Sequence, residues 1–199
     1  MSNLILASSF HTVAAELRER GVVPPAGASV AFVPTAGDLY AERPWVNADR
    51  EALIGLGYRV VNVDLKDRTA EWLRNELAGV DLVFVAGGNT TYLAEHARRS
   101  EFGVVLRGLL RDGKLYVGSS AGSILAGPTV EPFVAEDTAE LPPGFVVGSS
   151  ECLGLVDYVV LPHDNVVEFA KEHDILIEKY AGRRRFVRMT DQEYRAESI

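Results

Sequence analysis

Three serines and three glycines lie close together in the segment YVGSSAGSILAGP, residues 116–128. Residues 118–122 fit the pattern Gly-x-Ser-x-Gly, in which a tight strand-to-helix turn strains the central residue and tolerates only small residues two positions away. Such a turn lifts the serine hydroxyl above the sheet and points the next backbone amide into the same space. We therefore predict that Ser120 is a nucleophile and that the amide of Ala121 donates to an oxyanion.

A phosphate-binding loop is the alternative interpretation of these glycines. Such a loop ends in Gly-Lys-Ser or Gly-Lys-Thr, and this segment contains no lysine. Its glycines, at positions 118, 122 and 127, also do not form the Gly-x-Gly-x-x-Gly turn of dinucleotide-binding proteins. The segment therefore favours nucleophilic chemistry over nucleotide binding.

A second glycine turn, AGGNT at residues 86–90, also lies between an apolar run and a helix-like stretch. Asn89 or Thr90 suits the N-cap of that helix. Gly88 has no side chain, so its backbone amide can come close to a substrate and donate to the same oxyanion as Ala121. The capping and oxyanion roles are compatible, and we assign Asn89 to substrate binding.

A nucleophilic serine needs a base within hydrogen-bond distance, and the chain has four histidines. His163 follows the apolar run DYVVL and Pro162, so it is expected where a strand ends; we favour it as the base. His11, which follows the first apolar run, is the alternative. His96 is expected on a helix surface, and His173 is expected to be solvated in an acidic helix.

The acid that would orient the histidine is less clear from the residues alone. Glu131, Glu136, Asp137 and Glu140 all lie in the irregular segment between the serine and the histidine. Any one of them could accept a hydrogen bond from His163 and select its tautomer. The others would be solvated loop charges.

Apolar runs and amphipathic stretches alternate along the whole chain and must position these residues. Runs that are apolar throughout are typical of strands buried on both faces of a parallel sheet, and strict alternation with helices indicates a doubly wound α/β domain. The predicted strands are 4–7, 29–34, 58–65, 80–86, 115–117, 155–161 and 186–189. The predicted helices are 11–20, 46–56, 69–77, 90–99, one that ends at 111, and 166–180. We expect one domain over residues 1–199, with irregular structure from 128 to 148.

In such folds ligands bind outside the carboxyl ends of the strands. Functional residues are therefore expected in the segments that follow the apolar runs, namely residues 8–11, 35–38, 87–90, 119–123 and 163–165. The predicted serine, histidine and glycine turns all fall in these segments, so the fold and the chemistry agree.

Composition narrows the classes of partner. The net charge of −8 argues against nucleic acid and anionic membranes, which need clustered lysine and arginine. The single cysteine, Cys152, excludes an internal disulfide and suits a reducing compartment. The N-terminal apolar run is too short for a signal peptide or a membrane span. We expect a cytoplasmic protein with no metal or other cofactor.

The blocks VFVAGGNTTYL, YVGSSAGSILAGP and LGLVDYVVLPHDN, in this order and at this spacing, resemble the peptidase E (aspartyl dipeptidase) and cyanophycinase family of serine peptidases. The likeness extends from residue 1 to about residue 190. It implies a flavodoxin-like three-layer fold related to class I glutamine amidotransferases, with a serine where those enzymes have cysteine. It also implies that Ser120 is the nucleophile, His163 the base, and Gly88 and Ala121 the oxyanion donors.

The resemblance also bears on the acid. The family's acid comes shortly after the Gly-Pro that ends the elbow helix, here Gly127-Pro128. Asp137 matches that place best. Because some family members have a glutamate as this acid, Glu136 stays open as the alternative.

The function that the resemblance implies is serine peptidase activity on dipeptides or short peptides, including those with an N-terminal aspartate, through an acyl-enzyme. Family members specific for Asp-x dipeptides carry an arginine after the histidine, whereas VVEFAKEHD has Lys171 among acids. The expected partner is a small peptide substrate, with a homodimer left open. The alternative functions are a non-catalytic flavodoxin-like binding module and an amidohydrolase that acts on a non-peptide amide.

Overall fold

A computed structural model describes residues 3–198, in which strands and helices alternate. The strands are β1 (Leu4–Ala7), β2 (Ser29–Val33), β3 (Arg59–Asn62), β4 (Leu82–Val85), β5 (Leu115–Ser119), β6 (Val159–Leu161), β7 (Phe186–Arg188) and β8 (Tyr194–Glu197). The α-helices are α1 (Phe10–Glu19), α2 (Pro44–Gly55), α3 (Ala70–Leu77), α4 (Thr90–Arg99), α5 (Phe102–Arg111), α6 (Ala121–Leu125), α7 (Val134–Asp137) and α8 (Val167–Lys179). None of the helices in this part of the chain is both long and apolar enough to cross a membrane.

Six strands form the central sheet in the order β3-β2-β4-β5-β1-β8. The first five strands are parallel, and β8 pairs antiparallel with β1. A separate pair, β6 and β7, is also parallel. The mostly parallel sheet between two layers of helices confirms the predicted three-layer α/β class.

Side chains of the inner strands point alternately into two apolar cores, one on each face of the sheet. In β1, Leu4 and Leu6 belong to one core, whereas Ile5 and Ala7 belong to the other. Helices α3 to α6 cover the first face, and α1 and α2 cover the second. Because helices cover both faces of the sheet, nearly every position of an inner strand is apolar. Each fully buried Leu or Ile contributes about 1.5–3 kcal/mol to folding by the hydrophobic effect.

Three segments differ from the prediction. Of the predicted strand 58–65 only Arg59–Asn62 forms a strand, which lies at the edge of the sheet and has mostly exposed residues. Of the predicted strand 155–161 only β6 forms, because the amides of Leu153 and Leu155 are bonded to carbonyls at the end of α6 and beyond it. The irregular segment 128–148 contains the short helix α7.

Candidate active site

The turn at Ser120 has the strained geometry that the Gly-x-Ser-x-Gly pattern predicts. Ser120 lies between β5 and α6 with φ 50° and ψ −111°, a conformation that few non-glycine residues adopt. A Cβ atom on Gly118 would lie 2.6 Å from the Gly122 carbonyl carbon, and one on Gly122 would lie 2.1 Å from the carbonyl oxygen of Val85. Both glycines are therefore required by close backbone approach, which holds the serine above the sheet.

A methyl group at position 122 should damage the fold. We expect Gly122→Ala to lower the free energy of unfolding by about 1–3 kcal/mol or more, because overpacked backbone must move apart. Gly108→Ala, in helix α5 with open space around its Cβ position, is the matched control and should stabilise by about 0.5–1 kcal/mol. Thermal unfolding of both variants measures the difference. Equal melting temperatures for Gly122→Ala and the unmodified protein would contradict the steric argument.

The three serines of the segment have different surroundings. The Ser119 hydroxyl accepts a hydrogen bond from the Phe10 amide at 3.1 Å. The Ser123 hydroxyl donates to the Ala7 carbonyl at 2.7 Å and is fully buried. Ser119 and Ser123 therefore bind the elbow to β1 and α1, which leaves Ser120 as the serine free for chemistry.

His163 contacts the Ser120 hydroxyl directly. The distance from His163 Nε2 to Ser120 Oγ is 2.9 Å. His163 follows β6 after Pro162, has φ 64°, and its amide donates to the Ser8 hydroxyl at 2.7 Å. These constraints fix the ring at the carboxyl edge of the sheet. The structure therefore brings His163, and not the alternative base His11, to the serine.

The carboxylate bonded to His163 is Asp191, with 2.6 Å between His163 Nδ1 and Asp191 Oδ1. Strands β6 and β7 are parallel neighbours, so the residues that follow them meet at one edge. Asp191 Oδ1 also accepts from the Ser8 hydroxyl, and Oδ2 accepts from the Asn165 amide. Burial alone would raise the pKa of Asp191, but these hydrogen bonds and the His163 charge hold it below its ordinary value.

The prediction that Asp137 or Glu136 is this acid is wrong. Asp137 Oδ2 accepts hydrogen bonds from both the amide and the hydroxyl of Thr91, each at 2.7 Å, so it caps the start of α4. Burial, despite these bonds, raises the pKa of Asp137 above its ordinary value. Glu136 is exposed at the rim of the pocket. The other two candidates also point elsewhere: Glu131 pairs with Arg184, and Glu140 with Tyr40 and Asn89.

Asn89 has a structural role, and its contacts do not support the prediction that it binds substrate. Its Oδ1 accepts from the Tyr92 amide at 2.8 Å as the N-cap of α4. Its Nδ2 donates to the Asp137 carbonyl and to Glu140. The side chain is buried with its polar atoms engaged, so it ties the acidic segment to α4.

The backbone amides of Gly88 and Ala121, which are predicted to donate to an oxyanion, are both available to bind a substrate oxygen. Gly88 has φ 143°, and a Cβ there would lie 2.2 Å from the Ala36 carbonyl oxygen, so only glycine fits. Neither the Gly88 nor the Ala121 amide has an acceptor within residues 3–198. Gly87 packs against Ser120, since a Cβ on Gly87 would lie 3.1 Å from the Ser120 Cβ.

The other histidines differ from their predicted surroundings. His96 and His173 are both buried, not on the surface. His96 packs against Tyr92 and Phe145, and burial lowers its pKa. His173 Nδ1 lies 2.9 Å from a carboxylate oxygen of Asp164. His11 is bonded to Asp49 and not to Ser120.

A cavity of about 740 Å³ lies over Ser120 and His163. Its volume is in the range of small-molecule sites. Its walls include four aromatic and five acidic side chains, and no lysine or arginine is present among the described residues that line it. Across residues 3–198, no group of three or more His, Cys, Asp or Glu is placed to hold a metal ion. The acids that line the cavity are Asp49, Glu136, Asp137, Glu140 and Glu172.

Comparisons with known proteins identify the family of the chain. The model of peptidase family S51 matches residues 4–193. An uncharacterized peptidase of Listeria monocytogenes is 28% identical over 193 residues, which are 97% of this chain and 93% of that protein. A peptidase E of Streptomyces coelicolor is 36% identical over 143 residues, 70% of this chain and 52% of that protein. The crystal structure of a candidate peptidase E from Listeria monocytogenes superposes with a TM-score of 0.85 at 27% identity, covering 98% of this chain and 93% of that one. The chain therefore belongs to peptidase family S51 and is a serine peptidase.

Proposed function

We propose that the protein hydrolyses dipeptides or short peptides by forming an acyl-enzyme on Ser120. The observation that carries this proposal is the continuous hydrogen-bond chain from Asp191 through His163 to Ser120. A serine hydroxyl is a weak nucleophile until a base takes its proton, and a third group must hold that base in the correct tautomer. The contacts of these three side chains meet both requirements.

In the first half of the reaction, the Ser120 oxygen attacks the scissile carbonyl carbon while His163 Nε2 takes its proton. The Asp191 carboxylate accepts from Nδ1–H and stabilises the imidazolium that forms. The negative oxygen of the tetrahedral adduct accepts hydrogen bonds from the amides of Gly88 and Ala121. His163 then gives its proton to the leaving nitrogen, the C–N bond breaks, and the acyl-enzyme remains.

In the second half, a water molecule replaces the departed amine. His163 takes one proton from this water as its oxygen attacks the acyl carbon. The bond from Ser120 to the acyl carbon then breaks, and His163 returns the proton to the serine oxygen. One peptide bond and one water thus become a carboxylic acid and an amine, and the site is restored.

The charge of the cavity bears on which peptides enter it. Glu136, Glu140 and Glu172 line the walls without a lysine or arginine among the described lining residues. Burial raises the pKa of Glu172, and the nearby Glu136 carboxylate raises it further. An aspartate side chain placed among these acids would be repelled. We therefore propose that neutral or basic first residues are preferred over N-terminal aspartate.

A panel of dipeptides tests this function. We expect kcat/KM for peptides with a neutral or basic first residue to exceed that for Asp-x peptides by at least about tenfold, because like charges face each other in the cavity. Release of free amino groups measures the rates. Asp-x peptides as the best substrates would contradict the charge argument, and the absence of hydrolysis across the panel would contradict peptide hydrolysis itself.

A further inference from the structure

A second histidine–aspartate pair, His11 and Asp49, lines the same cavity but has no part in the reaction above. His11 Nδ1 lies 3.1 Å from Asp49 Oδ1, and the His11 backbone amide donates to the same oxygen at 3.0 Å. Asp49 is only 2% exposed. Burying a carboxylate costs free energy unless it is paired and hydrogen-bonded. The two contacts of His11 with Asp49 meet this need, and they hold the His11 ring in one position and orientation.

The other ring nitrogen of His11, Nε2, is available to bind a ligand. In the described part of the chain, no protein group is bonded to Nε2, and the side chain is 36% exposed. The hydrogen bond to Asp49 and the charges of Asp49 and Asp191 raise the pKa of His11, although partial burial opposes this. These surroundings favour the protonated form of His11, in which Nε2 carries an N–H that can donate into a cavity lined by five acids and, among its described lining residues, no lysine or arginine.

The first turn of α1 places His11 beside the catalytic groups. The Phe10 amide donates to the Ser119 hydroxyl, one residue before the nucleophile. The Thr12 hydroxyl donates to the backbone carbonyl of Asp191. His11 thus lies on the side of the site where His163 and its partner acid stand. In the proposed mechanism the leaving nitrogen takes its proton from His163, so the leaving amino acid occupies this side.

We propose that His11, held by Asp49, binds the C-terminal carboxylate of the substrate. This inference rests on the proposed function. In a dipeptide, one carbon atom separates the leaving nitrogen from that carboxylate, so a cation beside the base is well placed to meet it. A longer leaving segment would bring a neutral amide to His11 instead. The pair therefore selects substrates whose leaving residue carries a free carboxylate, dipeptides above all.

Binding to an inactive variant tests this without turnover. Isothermal titration calorimetry compares Ala-Leu with its C-terminal amide, Ala-Leu-NH2, on Ser120→Ala. We expect the free acid to bind about 10- to 100-fold more tightly, the usual effect of one hydrogen bond to a charged group. The double variant Ser120→Ala/His11→Leu, which removes the donor at this position, should bind both ligands equally. Ser120→Ala/His11→Lys, which keeps a cation, should retain most of the preference.

Two outcomes would overturn the inference: equal affinity of Ser120→Ala for the acid and the amide, or a preference that survives His11→Leu. A merely structural role of His11 would weaken both ligands alike and lower the melting temperature, which is measured in parallel. Phosphonate labelling of Ser120 in the unmodified protein separates this question from the proposed function. Absent labelling with an intact carboxylate preference would remove the acyl-enzyme mechanism and leave the His11 contact standing.

Discussion

Replacing Ser120 with alanine should lower kcat for dipeptide hydrolysis by about 10⁶-fold, the scale seen when a triad nucleophile is removed. The hydroxyl bonds to His163 and makes no capping bond to helix α6. Its loss should therefore remove the nucleophile and leave the fold unchanged. The kinetics are measured on the best dipeptide of the panel, with thermal unfolding as the check on folding.

The neighbouring Ser119 supplies the control. Ser119→Ala loses the acceptor for the Phe10 amide, which should lower stability by about 1–3 kcal/mol because a buried donor is left unsatisfied. It should keep most of kcat, since its hydroxyl is not bonded to His163. A Ser120→Ala protein that retains activity close to the unmodified enzyme would remove Ser120 from the mechanism.

Replacing Asp191 with asparagine should lower kcat by about 10⁴-fold, as expected when the orienting acid is lost and the histidine takes the wrong tautomer. The asparagine amide can donate to Nδ1, which would leave the proton on Nε2, where the serine must deliver its own. The imidazolium formed in the reaction would also lose its stabilising charge. The change is nearly isosteric, so kcat should fall far more than stability.

Asp137→Asn is the matched control for Asp191→Asn. An asparagine carbonyl at 137 can still accept from the Thr91 amide, so the cap of α4 should largely persist. Because Asp137 is bonded to Thr91 and not to His163, kcat should stay near that of the unmodified protein. If Asp137→Asn lost more activity than Asp191→Asn, the assignment of the acid would have to be reversed.

Much of the fold could be predicted because local patterns encode it. Apolar runs mark strands that are covered on both faces, and the structure shows this alternation at Leu4, Ile5, Leu6 and Ala7. The order of the strands in the sheet could not be predicted in this way. Nothing in the local pattern says that β3 lies at an edge or that β8 pairs antiparallel with β1, because those choices depend on contacts between distant parts of the chain.

The site was predictable where strained or close-packed backbone leaves a mark in the sequence. Gly118 and Gly122 flank Ser120 because a side chain at either position would collide with backbone. The acid left a weaker signal. Asp191 follows the predicted strand 186–189, so the rule that ligands and chemistry gather after strands applies to it too. What could not be seen is that β6 and β7 pair, which brings Asp191 to His163.

Asp137 shows why the nearer acid was misleading. It lies between the serine and the histidine in the chain, and a carboxylate there can serve either a histidine or a helix start. Its bonds to Thr91, 46 residues away in the chain, show that it caps the start of a helix. The same limit applies to His173, whose acidic helix suggested solvent but whose ring is buried against Asp164.

The most direct test of the Ser120–His163–Asp191 site is covalent labelling with a fluorophosphonate, followed by peptide mass mapping. The serine oxygen displaces fluoride and forms a stable bond to phosphorus only where a base activates it. We predict one label on the peptide that contains Ser120, strongly slowed labelling in His163→Ala, and none at that position in Ser120→Ala. A folded protein that stays unlabelled, or that carries its label on another serine, would contradict the account.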